Sequence, residues 1–159
     1  MSSQESQPLG IQLLHVDEVA LREVLDDLDA QPHDARAAKR KYERHPYRNR
    51  KVILCTRSSQ RNVAFLVHAR NISIGGISLV HGQMLYPRQR CSVGLPAQPG
   101  KWLMAHGQVV RCRHVSGMLH EVGIEFLRPL DPLTLQQLRD AAPAPVPPSE
   151  GKAWMTLPA

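Results

Sequence analysis

Arg44 and Arg48 stand four residues apart on either side of Pro46, in the stretch Arg44-His45-Pro46-Tyr47-Arg48. A guanidinium group is planar, permanently charged and forked, so two of them close together suit phosphate oxygens and the O6/N7 edge of guanine. The same spacing recurs upstream at Arg36, Arg40 and Arg44, and a helix would line the series up as one basic stripe. Pro46 distinguishes the last copy, because proline disfavours helical geometry at His45 and blocks continuation beyond it. Arg44 and Arg48 are therefore expected to straddle a non-helical bend and to approach a ligand from two sides. Taken alone, the pair is more simply a solvated basic linker.

A polar turn is the second feature. In Asn71-Ile72-Ser73-Ile74-Gly75-Gly76, Ile72 and Ile74 would anchor in a core while Asn71 and Ser73 project from the other side. Gly75 and Gly76 permit positive φ and carry no Cβ to block a planar ligand, although an ordinary hairpin turn has the same composition. Other chemistry is weakly represented. Eight histidines are scattered without ligand spacing, and Cys112-Arg113-His114 offers only two metal donors on one strand, short of a full ligand set. The Gly75-Gly76 step lies between two strands, so it is neither a dinucleotide fingerprint nor a phosphate loop. Glu121 and Glu125 stand four residues apart on what reads as an exposed strand face. No catalytic set, cofactor site or metal site emerges, and the expectation is a protein that is not an enzyme.

The elements that must position these residues follow from composition and periodicity. The chain has 159 residues, 42% of them apolar and 4% aromatic, with 20 Lys+Arg against 14 Asp+Glu. No apolar run approaches the roughly 18 residues of a membrane helix, and scarce aromatics disfavour a stacking platform for nucleic acid. Cys55, Cys91 and Cys112 are odd in number and share no paired spacing, which suits a reducing cytoplasm. The first ten residues show no export signal.

Charge divides the chain. Residues 1–34 carry one basic and eight acidic side chains, net −7, and residues 35–159 carry 19 basic and six acidic, net +13. The acidic segment is expected to lie across the basic remainder until an anionic ligand displaces it. Within it Leu21, Val24, Leu25 and Leu28 repeat at helical spacing after Asp17, predicting an amphipathic helix over 18–29 that packs on its own domain or on a second subunit as a homodimer. Residues 35–50 form a basic linker ending in the arginine pair.

From residue 51 the period switches to two. Six strands are predicted at Val52–Thr56, Val63–Ala69, Ile77–Val80, Cys91–Leu95, Trp102–Cys112 and Leu119–Phe126, a barrel or sandwich density. Asp131-Pro132 opens a short helix to about Asp140 that plugs one end. Residues 141–159 read as a Pro-rich disordered tail containing Trp154 and Met155.

In this order the features resemble the PilZ domain, a bacterial receptor family for cyclic di-GMP. The resemblance covers about residues 40–140: the R-x-x-x-R of Arg44 to Arg48, the [D/N]-x-S-x-x-G of Asn71 to Gly76, Val109 to Arg113, and the closing Val122-Gly123-Ile124-Glu125-Phe126. It implies a mainly β fold, a six-stranded antiparallel barrel with a short C-terminal helix, here preceded by the amphipathic helix. It also implies that Arg44 and Arg48 bind guanine and phosphate, that Asn71 and Ser73 bind the other guanine edge or its backbone, and that Gly76 gives close approach, with Arg40, Lys41 and Gly75 in support. Asn71 replaces the commoner aspartate and offers one acceptor where Asp offers two. Glu43 occupies a place where many members carry a basic residue that helps hold a pair of dinucleotides.

The expectation is thus a cytoplasmic effector in motility or biofilm regulation that binds cyclic di-GMP and transmits its occupancy to a protein partner, with loop ordering as the output. The leading rival is a PilZ-like interaction module for pilus or motility machinery that does not bind the nucleotide. A nucleic-acid-binding barrel is the third reading.

Overall fold

The computed structural model describes residues 11–13, 17–31, 41–48, 51–58, 61–98 and 100–141. Arg40, the linker up to it, and the Pro-rich tail from 142 with Trp154 and Met155 lie outside the described residues.

Alternating apolar positions produce the expected strands. In chain order the elements are β1 (Ile11–Gln12), α1 (Glu18–Ala30), β2 (His45–Pro46), β3 (Val52–Ser58), β4 (Arg61–Ser73), β5 (Gly76–His81), β6 (Arg90–Gln98), β7 (Lys101–Ser116), β8 (Leu119–Phe126) and α2 (Pro132–Asp140). Strands β3 to β8 pair antiparallel in the ring β4-β3-β6-β7-β8-β5, which β4–β5 pairing closes into a six-stranded barrel. The two-residue strands β1 and β2, absent from the sequence expectation, both lie along β4.

Side chains at every second position fill the barrel: Val52 and Leu54 from β3, Phe65, Val67 and Ala69 from β4, and Val122, Ile124 and Phe126 from β8 are all buried in one cluster. α2 adds Leu135 and Leu138 to it, so the short helix packs into the barrel core as expected.

β4 runs on through Ser73, which places Asn71 and Ser73 in the strand and leaves Ile74 and Gly75 as the turn. A bulge between Ala69 and Asn71 allows this. Ala69 pairs with Leu79 and Asn71 with Ser78, so Arg70 is the extra residue, and Ala69 and Ile72 can both reach the core.

The amphipathic stripe of α1 packs on its own barrel. Leu21, Leu25 and Leu28 are buried against Val80 and Leu119, with Val24 and Val115 at the margin. Beneath the helix lies the largest departure from expectation. Glu121, read as exposed, is completely buried. Its carboxylate accepts hydrogen bonds from Arg70 (3.0 Å), Arg111 (2.5 Å) and Arg113 (3.3 Å). The residue does point out of the barrel, but α1 and three guanidinium groups cover it. A buried carboxylate is tolerable only with such partners.

Candidate functional site

The arginine-bearing loop is fixed to the barrel at its middle and diverges at its ends. His45 pairs with Ile72 and Pro46 with Asn71 across β2 and β4. The next residue, Tyr47, is buried and donates its backbone N–H to the Arg70 carbonyl at 2.9 Å. Proline thus stops a helix and holds an extended edge, as its fixed φ allows. Arg44 and Arg48, both exposed, leave this anchored tripeptide toward different neighbours.

On one side, Arg44 joins Lys41, Tyr42, Ser73, Gly75 and Gly76 around a cavity of about 430 Å³. Its remaining wall comes from β7 and β8, including Val110, Gly123, Glu125 and Phe126, continued by Leu127 and Pro129. That volume lies in the range of small-molecule sites. Five of the residues expected from the sequence therefore meet here: Arg44, Ser73, Gly76, Lys41 and Gly75. Asn71 and Arg48 do not line this cavity.

Ser73 is occupied in shaping the hairpin. Its hydroxyl oxygen accepts the N–H groups of Gly75 (3.2 Å) and Gly76 (3.1 Å), a serine turn that organises the polar corner. Neither glycine is needed for backbone torsion, since neither has positive φ, and the two differ in the space they leave. A Cβ on Gly76 would strike the backbone carbonyl of Ile124, where β5 pairs with β8. A Cβ on Gly75 would strike only the ring of Tyr42. Gly76→Ala is accordingly expected to destabilise the barrel by about 1–3 kcal/mol, because neither strand can give way. Gly75→Ala is expected to cost under about 0.5 kcal/mol by turning the tyrosine aside. Urea unfolding of the two variants measures the difference, and equal midpoints would contradict it.

Tyr42 was not singled out in the sequence. Its ring lies against Gly75, Lys41 Nζ sits 5.3 Å from the ring centroid, and a second cavity of about 400 Å³ opens on its other side toward α2. Its position inside the basic loop, two residues before Arg44, was the available signal.

On the other side, Arg48 is engaged by α1. Its guanidinium donates to Asp26 at 2.8 Å and to Asp29 at 2.6 Å. Asp29 also accepts from Arg70 Nε at 2.8 Å, and Arg70 Nη2 donates to the Leu28 carbonyl at 2.8 Å. Burial alone would raise the Asp29 carboxyl, but the hydrogen bonds from Arg48 and Arg70 outweigh it and hold the group below the usual carboxylate range. The Asp29 hydrogen bond in turn raises Arg48 above its ordinary value, against partial burial. The acidic segment thus reaches the basic barrel, as the charge division predicts.

Among known proteins, the family model for the PilZ domain matches residues 38–142. No curated protein matches the chain. Among the solved structures that are similar are three, each at 14% identity. They are the inhibitor of motility MotI/DgrA of Bacillus subtilis (64% of this chain and 48% of that one, TM-score 0.46), the PilZ domain with c-di-GMP of YcgR from Escherichia coli (65% and 90%, TM-score 0.48), and the K. pneumonia MrkH–c-di-GMP complex (64% and 49%, TM-score 0.44). The chain spans about half the length of the first and third of these.

Proposed function

Because the chain belongs to the PilZ domain family, we propose that it is a non-enzymatic receptor for cyclic di-GMP, acting in the cytoplasm and passing ligand occupancy to a protein partner. The observation that carries this reading is the convergence of Arg44, Lys41 and the Ser73–Gly76 hairpin on one cavity. Two cationic side chains there suit a doubly anionic ligand, and Arg44 adds a fork matched to phosphate or to the guanine O6/N7 edge. The Tyr42 ring offers a purine a stacking face, and Lys41 beside it keeps positive charge close to the phosphates. Ser73 acts by fixing the hairpin whose backbone lines the cavity. No bond is made or broken and no cofactor is needed.

Calorimetric titration of the full chain with cyclic di-GMP tests this directly. Saturable heat with one or two ligands per chain is the expected result, with generic RNA giving none. A second reading is favoured by the engagement of Arg48 with α1, which withdraws half of the arginine pair from the cavity. It is a PilZ-like interaction module that has dispensed with the nucleotide, and absence of heat at high ligand concentration would favour it over the receptor.

A further inference from the structure

α1 is an acidic helix with its charges at the unfavourable end. Asp26, Asp27 and Asp29 crowd its last turns, its last turn holds no basic residue, and Asp17 at its N-cap makes no side-chain cap hydrogen bond. Carboxylates beside the negative end of a helix dipole repel it. The compensating charge comes from the barrel: Arg48 bridges Asp26 and Asp29, while Arg70 takes Asp29 and the open Leu28 carbonyl. Arg70 is held independently by buried Glu121, whereas among the described residues the ion pairs of Arg48 are those with Asp26 and Asp29. Arg48 also stands one residue after anchored Tyr47 and four after Arg44, which lines the 430 Å³ cavity.

We propose that Asp26 and Asp29 are built-in competitors for Arg48, and so set the affinity of the site: the dinucleotide phosphates and the α1 carboxylates bid for the same guanidinium. This rests on the cyclic di-GMP reading above. When ligand takes Arg48, α1 loses its bridging counter-charge and its last turns loosen, a two-state exchange in which ligand affinity is reduced by the fraction of chains with Arg48 still docked. Release then uncovers Leu21, Leu25 and Leu28, converting occupancy into a change of surface.

The test uses the full chain with Asp26→Asn/Asp29→Asn, and Asp27→Asn as control. Asp27 belongs to the same helix but lines the groove toward Met118 instead of meeting Arg48. The double variant is expected to bind cyclic di-GMP roughly three- to tenfold more tightly, the scale of two partly exposed ion pairs. The control should match the wild type. Amide hydrogen exchange over residues 18–30 should speed up when the wild type is saturated, and should already be fast in the unliganded double variant. Equal affinity of wild type and double variant, or equal tightening by Asp27→Asn, would overturn the competition and leave the receptor reading intact. No heat from any of the three proteins would remove the receptor reading, and the competition with it.

Discussion

Replacing Arg44 and Arg48 together by alanine is expected to lower cyclic di-GMP affinity by on the order of a hundred- to ten-thousandfold, while the barrel stays folded. Each charge-assisted hydrogen bond contributes about 1.5–3 kcal/mol, and about 1.4 kcal/mol is a factor of ten. Both side chains are exposed and neither belongs to the core, so the loss would not reflect unfolding. The two positions are not equivalent. Arg44 lines the cavity already, whereas Arg48 must exchange Asp26 and Asp29 for ligand, which offsets part of what it gains. Arg44→Ala should therefore cost more affinity than Arg48→Ala. Calorimetry on the two single variants and the double, with circular dichroism to check the fold, gives the ordering. Wild-type affinity in the double variant would exclude the site.

The second large effect concerns stability. Glu121→Ala is expected to destabilise the chain by about 3 kcal/mol, the lower end of the range for removing one partner of a buried ion pair. Arg70, Arg111 and Arg113 would then face one another without their shared carboxylate. Side-chain exposures of 14%, 33% and 42% let Arg111 and Arg113 recover water more readily than Arg70, which places the cost at that lower end. Arg70 also steadies the C-terminus of α1, so hydrogen exchange in residues 18–30 should quicken in the same variant. Urea unfolding measures the main effect. A loss below about 1 kcal/mol would mean that all three guanidinium groups resolvate freely.

Much of the architecture was legible because it rests on local periodicity. The apolar residues at i, i+3, i+4 and i+7 gave α1 to within one residue, Asp131-Pro132 opened α2, and period-two alternation gave all six barrel strands. The end of β4 was not legible. Asn71 and Ser73 are turn-forming types, and only the bulge at Arg70 and pairing with β5 keep them in the strand. Glu121 could not be told from Glu125 by any local signal, since they share a strand face. What separates them is cover from α1, about ninety residues earlier in the chain, and from Arg70. At the candidate site, residue types singled out Arg44, Ser73 and Gly76, which line one cavity, but not their division of labour. That Ser73 closes a turn, and that Gly76 makes room for the Ile124 carbonyl, depends on hairpin and sheet geometry rather than composition.

Closure of the barrel divides it into two meanders, β3-β4-β5 and β6-β7-β8, each joined by pairings between consecutive strands. The meanders meet along only two seams, β3 against β6 and β5 against β8. The 430 Å³ cavity straddles the second seam, with Gly76 and Ile77 on one side and Gly123, Ile124, Glu125 and Phe126 on the other. An occupant there would act as a rivet between the two halves, stabilising the native barrel against their parting.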